Sequence, residues 1–579
     1  MLKILKYLKP YFWWIVLTIL LTFGQVMATL ELPNYMAKIV DLGIIGGNNN
    51  VIITNGLMML LISFLGAICT IWAGYLAAKI STGFSMKMRE KVFAKVESFS
   101  LVEFNQFSTA SLITRSTNDI QQVQGLVFMM LRMMLVAPIT GIGAIIMAYR
   151  TAPSMTWIMG LAISVMVVII LILFSMAVPK FKIVQKLIDK INLVTRENLT
   201  GLRVIRAFNS EKTEEAKFDR ANQDLTNLNI FLNRLMATMQ PTMTLIFNIT
   251  TLGIVMIGAK LIGTGDLLVG NMIAFMQYSL QVLFSFMMMS MIFIMIPRAT
   301  VSGDRIIEVI ETDVCIKDPE KPSIFTKKIC GMVEFQNVTF AYPGAENPVL
   351  EGINFKAKAG QVTAIVGSTG CGKSTLINLI PRFYDVCYGN ILVDGINVKD
   401  VKLKDLNEKI GYVPQKGVLF SGTIESNIKY GTPKASDHEV HKAVAIAQAT
   451  DFIDKKEHKY KSSISQGGVN VSGGQKQRLA IARALVKKPE IFIFDDSFSA
   501  LDFKTDAALR QALMQETKNA TVIIVAQRIS TVLSADQIIV LDAGKIVGIG
   551  THKELFADCE VYKEIALSQL SREELETLN

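Results

Sequence analysis

The stretch Ala364-Ile-Val-Gly-Ser-Thr-Gly-Cys-Gly-Lys-Ser-Thr-Leu376 decides the fold of the C-terminal half of this chain. It begins as a short apolar run, passes through a loop that contains Gly367, Gly370 and Gly372, and continues into a helical pattern. Glycines let the backbone N–H groups of such a loop approach phosphate oxygens closely, and the helix N-terminus adds positive potential. The spacing Gly-x-x-x-x-Gly-Lys-Ser in this context predicts a nucleotide-binding site.

The side chains of this loop fit the same chemistry. Lys373 can reach the β- and γ-phosphate oxygens, and the Ser374 hydroxyl can ligate Mg²⁺. ATP and Mg²⁺ are therefore the predicted cofactors. The candidate ATP contacts in and after the loop are Gly367, Ser368, Thr369, Gly370, Cys371, Gly372, Lys373, Ser374 and Thr375.

Further along the chain, Ile491-Phe-Ile-Phe-Asp-Asp-Ser497 is a buried apolar strand pattern that ends in two carboxylates. A carboxylate at the end of a strand can hold the Mg²⁺ of a bound nucleotide, which makes Asp495 a candidate metal ligand. Short β-rich runs alternate with helical stretches from about residue 331 onward, a pattern typical of an α/β domain with a largely parallel sheet.

The N-terminal half has a different composition. The chain has 579 residues, of which 51% are hydrophobic, and a net charge of +10. Its basic residues flank apolar runs rather than forming one patch, which argues against nucleic acid as a partner. Each of these runs is long enough to cross a lipid bilayer as a helix of about 20 residues. The six predicted membrane segments are residues 13–33, 55–78, 126–149, 155–178, 241–263 and 271–296.

The connections between these segments differ in length and charge. Residues 79–125 and 179–240 are long and rich in Lys and Arg, whereas the other connections are short and have few cations. The positive-inside rule places both long loops and both termini in the cytoplasm of a multi-pass protein of the cell membrane. Scattered cysteines without metal spacing agree with a reducing compartment. We predict a transmembrane domain at residues 1–300, a linker at 301–330 and a nucleotide-binding domain at 331–575.

One segment narrows the family. Val471-Ser-Gly-Gly-Gln-Lys-Gln-Arg478 resembles the signature of ATP-binding cassette (ABC) proteins, and the phosphate loop and strand-end carboxylates stand in the matching order. The resemblance implies that Ser472, Gly473, Gly474 and Gln475 act on the ATP of a partner cassette. It also implies an adenine-stacking role for Tyr342, a role for Gln415 at Mg²⁺ and in coupling to the membrane domain, and a D-loop at Asp502.

Two positions depart from the family pattern. Asp496 stands where ABC ATPases carry a catalytic Glu, and Gln527 stands where they carry a switch His. A shorter acid draws its carboxylate back by about 1.5 Å, and Gln carries neither a proton nor a charge for the γ-phosphate. The pattern is similar to the non-catalytic half of heterodimeric bacterial multidrug exporters. It implies a partner half-transporter with an intact Glu and His. Tolerated drift in a slow homodimer is the alternative.

The membrane half extends the resemblance over nearly the whole chain. Ser108-Thr-Ala-Ser-Leu-Ile-Thr-Arg115 and Glu197-Asn-Leu-Thr-Gly-Leu-Arg-Val-Ile-Arg-Ala-Phe208 look like the two intracellular coupling segments of exporter-type ABC proteins. The sixth segment is rich in Met, including Met291 and Met295, which suits either a promiscuous apolar ligand site or bundle packing. Glu31, near the outer end of the first segment, is either a site residue or an acid that reaches interfacial water.

The resemblance implies an exporter-type helical transmembrane domain followed by an ABC-type α/β domain. The activity that it implies is ATP hydrolysis coupled to efflux of small amphipathic or drug-like molecules, with hydrolysis mainly at the partner's site. Two further interpretations stay open. The chain could be a homodimeric lipid or peptide exporter, or a regulatory subunit that senses ATP.

Overall fold

The structure, a computed structural model, describes residues 2–325 and 331–570. The chain divides into two compact units, one formed by residues 1–96 and 110–311 and the other by residues 97–109 and 312–579. The first nine helices are α1 (Leu2–Leu5), α2 (Phe12–Lys38), α3 (Asn49–Glu97), α4 (Leu101–Gln106), α5 (Thr109–Thr114), α6 (Ile120–Thr151), α7 (Thr156–Ala207), α8 (Glu211–Thr264) and α9 (Val269–Glu311).

The first unit is helical. Within the described residues, six helical runs are long and apolar enough to cross a membrane. The longest helices, α7 with 52 residues and α8 with 54, would be about 80 Å long at 1.5 Å per residue. A hydrocarbon core is about 30 Å thick, so more than half of each helix must extend beyond it. Because these parts of α7 and α8 extend beyond the membrane, residues 179–240 can be polar and still keep a helical pattern.

The core of this unit forms where α2, α6 and α9 pack together. Tyr278 of α9 is fully buried there, and its hydroxyl donates a hydrogen bond to the carbonyl of Leu30 at 2.9 Å. Glu31 is half-buried and accepts a hydrogen bond from Asn34 at 3.3 Å. Met291 and Met295 lie outside the side chains that the structure describes. Helices α7 and α8 form an antiparallel hairpin whose connecting turn lies at residues 208–210.

The sixth membrane helix is longer than the sequence indicates. Helix α9 continues to Glu311, although residues 301–330 were predicted to be a linker. Ser302, Ile306 and Val309 are buried at spacings of four and three residues, so one face of the helix keeps packing against its own unit. The adjoining face carries Glu308, which pairs with Arg115.

Within the described residues, the second unit contains three sheets, of six, four and two strands. Its strands are β1 (Val333–Phe340), β2 (Leu350–Ala357), β3 (Val362–Gly367), β4 (Tyr388–Val393), β5 (Ile396–Asn397), β6 (Ile410–Val413), β7 (Gly422–Thr423), β8 (Ser463–Ile464), β9 (Ile491–Asp495), β10 (Thr521–Val525), β11 (Gln537–Asp542) and β12 (Lys545–Gly550). The larger sheet has the order β12-β11-β3-β10-β9-β6 and is parallel except for β12, while β2-β1-β4-β5 is antiparallel.

The larger sheet is covered on both faces, as a parallel sheet requires. Successive residues of β9 alternate between the two hydrophobic cores: Phe492 and Phe494 belong to one, Ile491 and Ile493 to the other. The remaining helices are α10 (Lys373–Asn378), α11 (Leu403–Glu408), α12 (Ile424–Ile428), α13 (Asp437–Ile446), α14 (Thr450–Asp454), α15 (Gly473–Val486), α16 (Phe503–Glu516), α17 (His552–Asp558) and α18 (Glu560–Leu567).

Within the described residues, Cys69, Cys315, Cys371, Cys387 and Cys559 are free thiols. Cys330 lies outside those residues.

Candidate functional site

The phosphate loop joins the end of β3 to the start of α10. Gly367 has a φ of +154°, and a Cβ there would lie 2.1 Å from the carbonyl oxygen of Leu541. Gly372, which precedes the helix, has a φ of +102°, where a Cβ would lie 2.8 Å from Leu350. These positions need glycine because β2 and β11 approach the loop closely, and the loop backbone therefore keeps a shape that can surround a phosphate group.

The Lys373 ammonium group is directed at this loop. It donates hydrogen bonds to the carbonyls of Gly367 at 2.8 Å and Ser368 at 2.6 Å, and it lies 3.7 Å from the Cys371 sulfur. Phosphate oxygens would replace these carbonyl acceptors when a nucleotide binds. A cation held at this glycine-containing loop fits a polyphosphate.

The predicted metal ligands come together at the ends of neighbouring elements. Ser374, in the first turn of α10, donates its hydroxyl hydrogen to Asp495 Oδ1 at 3.0 Å. Burial raises the pKa of Asp495 above its ordinary value, and the adjacent Asp496 carboxylate adds to this rise, while Ser374 and Lys373 oppose it. A divalent cation would stabilise the ionised form. The hydroxyl and the carboxylate are hard oxygen ligands, which fits Mg²⁺.

Asp496 is held in one orientation. Its carboxylate accepts a hydrogen bond from Gln415 Nε2 at 3.2 Å, and the residue is only 7% exposed. Its amide donates to the carbonyl of Val525 at 3.0 Å, and its φ is +45°. Asp tolerates this left-handed conformation better than most residues. The hydrogen bond leaves Gln415 Oε1 as the amide atom that could contact a metal.

Gln527 lies at the same edge of the sheet. Strands β9 and β10 are parallel, and their register pairs Asp495 with Val525, so Asp496 and Gln527 both follow paired strand ends. The Gln527 backbone is fixed because its carbonyl accepts a hydrogen bond from Gln569 at 2.8 Å, while the residue is exposed. The two departures from the ABC pattern therefore lie just beyond the ends of neighbouring strands.

The signature segment caps helix α15. Ser472 accepts a hydrogen bond from the amide of Gln475 at 3.3 Å, and the Gln475 side chain accepts one from the amide of Ser472 at 3.1 Å. This reciprocal pair is a capping box, which satisfies two helix-end amides. Ser472 and Gly473 are exposed, while Gly474 packs closely against the carbonyl of Ala500. The N-terminus of α15 is thus free to face a second molecule.

Asp502 has a structural role in this unit. It caps α16 by accepting a hydrogen bond from the amide of Thr505 at 2.9 Å, and this bond lowers the pKa of Asp502. The D-loop role implied by the resemblance stays a prediction.

Tyr342 flanks the phosphate loop from the other side. Its hydroxyl shares a hydrogen bond with the Thr375 hydroxyl at 2.9 Å, and its ring packs edge-on against Phe340 and Tyr384. A half-buried aromatic ring beside the phosphate loop can stack on a base.

Sequence reasoning missed the residues that hold these parts together. Gln477 of α15 is buried. Its side-chain amide donates a hydrogen bond to the carbonyl of Pro414 at 3.0 Å and so ties the signature helix to the Gln415 segment. The Ser497 hydroxyl, which follows β9, donates a hydrogen bond to the carbonyl of Val413 at 3.0 Å and so ties the end of β9 to the same segment. A polar residue on the apolar face of an amphipathic helix was the available signal for Gln477, because a buried amide needs a partner.

Comparison with known proteins agrees with this geometry. Residues 14–286 match the family model of the ABC transporter transmembrane region, and residues 350–499 match the family model described as ABC transporter. An uncharacterized ABC transporter ATP-binding protein of Mycobacterium tuberculosis is 41% identical over 97% of each chain. The uncharacterized protein YfiB of Bacillus subtilis is 36% identical over 99% of each chain.

A solved structure is similar along its whole length. It is that of a bacterial Atm1-family ABC exporter with ATP bound, with a TM-score of 0.79 and 27% identity over 98% of this chain and 99% of the other. The predicted fold is confirmed. The chain belongs to the ABC transporters, as an exporter half-transporter whose helical membrane domain is fused to an ATPase domain that couples ATP hydrolysis to transport.

Proposed function

We propose that this chain is the degenerate-site subunit of a heterodimeric exporter that expels small amphipathic, drug-like molecules. ABC exporters work as dimers in the membrane, and a second half-transporter with a catalytic Glu and a switch His would complete this one. ATP with Mg²⁺ would bind at the site of this chain and be hydrolysed mainly at the site of the partner.

The observation that carries this proposal is the pairing of Asp496 and Gln527. Both follow the ends of two register-paired strands, so both would face the same end of a nucleotide bound at Lys373. Asp496 cannot extend its carboxylate because its backbone is fixed by Val525 and its side chain by Gln415. A misplacement of about 1 Å can cost about 10²-fold in rate. Independent drift would not favour two changes at one reacting group.

The intact signature supports the second half of the proposal. Ser472 lies at an exposed helix N-terminus, where amides and the helix dipole favour a phosphate group. This chain would therefore supply a working signature to the site of its partner.

A cavity in the first unit supports the substrate class. It has a volume of about 190 Å³ and is lined by α8 and α9. None of its lining residues carries a charge; they are Gln240, Met243, Thr244, Phe247, Leu280, Leu283, Phe284 and Met287. Flexible Met and aromatic side chains adapt to varied apolar shapes, and Gln240 can hydrogen-bond a polar group. An uncharged, mostly apolar ligand with one polar end fits this lining.

The charge distribution supports the orientation. The Lys- and Arg-rich loops at residues 79–125 and 179–240 would remain in the cytoplasm with the ATPase domain, and the membrane would be the cell membrane.

The proposal predicts a second half-transporter encoded next to this chain, and the test is to purify this chain alone and together with that protein, both in lipid nanodiscs. We expect a one-to-one complex whose ATP hydrolysis rises with an amphipathic dye, and a lone chain that binds ATP with little hydrolysis. Brisk, dye-stimulated hydrolysis by a proven homodimer would reject the heterodimer. A complex that hydrolyses ATP without moving any dye or drug would favour the ATP-sensing alternative.

A further inference from the structure

Helix α4, which follows the long membrane helix α3 in sequence, packs within the second unit. Asn105 Nδ2 donates a hydrogen bond to the hydroxyl of Tyr384 at 3.2 Å. Leu101 and Val102 pack against the hydrophobic core that contains Tyr384. The bond joins residues 279 positions apart. Tyr384 is only 6% exposed, and Asn105 gives its hydroxyl a hydrogen-bond partner.

The ring of Tyr384 has a second contact. It meets the ring of Tyr342 edge-on, with centroids 5.3 Å apart and an interplanar angle of 89°. Tyr342 in turn shares a hydrogen bond with Thr375 in the first helical turn after the phosphate loop. Phe340 touches both tyrosine rings and completes a packed cluster. One tyrosine therefore contacts both α4 and the aromatic residue beside the nucleotide site.

Helix α4 is also anchored at its other end. Glu103 caps the helix through Ser100, and its second oxygen accepts a hydrogen bond from the amide of Cys315 at 2.9 Å. The segment after Cys315 is tied to the Tyr384 loop, since Arg382 donates to the carbonyl of Lys317 at 3.3 Å. With one end of α4 fixed this way, a shift of Tyr384 would act mainly on Asn105.

We propose that Tyr384 is a positioning residue that makes the order of α4 depend on the base of the bound nucleotide. A base stacked on Tyr342 restricts that ring, the edge-on contact restricts Tyr384, and the hydroxyl of Tyr384 then holds Asn105. The phosphate end of the nucleotide meets Tyr342 only through Thr375, so the base is the part that acts mainly through this route. The inference goes beyond the proposed function, because it needs only ATP binding and neither a partner nor a transported substrate.

The experiment is hydrogen exchange of the full chain in nanodiscs, followed in peptides covering residues 101–106 and 367–376. The ligands are Mg·ATP and Mg·tripolyphosphate, which has phosphates but no base. In the wild type, both ligands slow exchange at 367–376. Only Mg·ATP slows exchange at 101–106, by about fivefold, the change expected from one neutral hydrogen bond.

Two variants and one control separate positioning from folding. Tyr384→Phe keeps the ring but removes the hydroxyl, and Asn105→Ala removes the other partner. Both should lose the ATP effect at 101–106 and keep it at 367–376. The matched control is Tyr412→Phe, which removes a similar bond from the hydroxyl of Tyr412 to Asn378 at 3.0 Å and should keep both effects.

Three results would overturn the proposal. The first is protection of residues 101–106 by ATP that persists in Tyr384→Phe and Asn105→Ala. The second is equal protection of these residues by tripolyphosphate. The third is no ATP effect at residues 101–106 in the wild type. If Mg·ATP does not protect residues 367–376 in the wild type, ATP binding at this site is rejected instead. Failure of ATP binding and failure of the Tyr384 proposal are therefore distinguishable.

Discussion

At the scale of single residues, the nucleotide site depends on backbone conformations that few side chains accept. Gly367 and Asp496 both have positive φ, at +154° and +45°. The first is forced by the approach of β11, and the second turns the chain directly after β9. The sequence motif predicts the glycine, but the left-handed turn at Asp496 is visible only in the fold.

Two glycine variants test how tightly the loop is packed. Gly367→Ala places a Cβ 2.1 Å from the carbonyl of Leu541, whereas Gly370→Ala meets nothing within 4 Å. We expect Gly367→Ala to lower stability by roughly 3 kcal/mol and to abolish ATP binding. Gly370→Ala should cost about 1 kcal/mol, from its φ alone. Thermal unfolding with and without Mg·ATP checks both values, and equal losses in the two variants would contradict the packing argument.

The catalytic departures can be reversed singly and together in the lone chain. Asp496→Glu alone should raise ATP hydrolysis only severalfold, because Gln527 still cannot carry a charge. The pair Asp496→Glu and Gln527→His should raise hydrolysis by about 10²-fold. Phosphate release by the purified chain measures this, with Lys373→Ala in the same background as the inactive control. Full recovery from Asp496→Glu alone would mean that Gln527 is not limiting.

At the scale of elements, α4 is a six-residue helix held by buried polar contacts rather than by its own length. Burial of the Glu103 carboxylate acts to raise its pKa, but hydrogen bonds from Ser100 and Cys315 outweigh burial and hold the pKa at about 2. The ionised Glu103 carboxylate therefore helps to hold α4 against the Cys315 segment.

The pKa of Glu103 predicts how the stability of α4 depends on pH. A carboxylate whose pKa falls from 4.5 to about 2 on folding stabilises the fold above pH 4.5, and this stabilisation is lost as the pH falls toward 2. Glu103→Gln should therefore destabilise α4 at pH 7 by roughly 1–3 kcal/mol, with the difference from wild type shrinking below pH 4.5.

Hydrogen exchange at residues 101–106, corrected for intrinsic rates, measures this difference. Glu554→Gln is the matched control, because Glu554 belongs to a similar capping box at the exposed start of α17. Glu554→Gln should change the stability of α17 only slightly. If Glu103→Gln destabilises α4 by the same amount at every pH, the charge of Glu103 does not contribute to the stability of α4.

The sequence predicted most elements near the site. The continuous apolar runs that begin at Ala364 and Ile491 lie in β3 and β9, as the sequence indicates. Strand β2 is hard to predict because Gly352 and Lys356 interrupt its apolar pattern, and β12 because it is an edge strand with no more than partial burial. The contact of Asn105 with Tyr384 spans 279 positions, and no local pattern encodes a pairing of that range.

At the scale of the whole molecule, the turn of the α7–α8 hairpin presents an exposed apolar surface. Phe208, at its turn, is 76% exposed, and Leu199 and Val204 on the same turn-proximal segment are 72% and 60% exposed. The sequence predicted a coupling segment here from its resemblance, and the exposure of large apolar side chains at a polar end of the hairpin is consistent with a docking surface.

A substitution at the turn tests that role. Phe208→Ser should leave ATP binding intact and reduce dye-stimulated hydrolysis of the complex by at least about tenfold, as loss of a buried aromatic anchor does at an interface. Tyr388→Ser, which changes an equally exposed aromatic residue of β4, should have little effect. Unchanged dye stimulation in Phe208→Ser would exclude a coupling role for the turn.

The central claim is that this chain holds ATP at its own site and supplies its signature to the other. The most direct measurement is ATP hydrolysis by the complex with single changes in this chain alone. Ser472→Ala should abolish hydrolysis, whereas Asp496→Asn should leave more than about half of it, because Asp496 serves a site that contributes little. Ser436→Ala removes a comparable capping serine from α13 and controls for helix destabilisation. The opposite pattern, with hydrolysis lost in Asp496→Asn and retained in Ser472→Ala, would contradict the account.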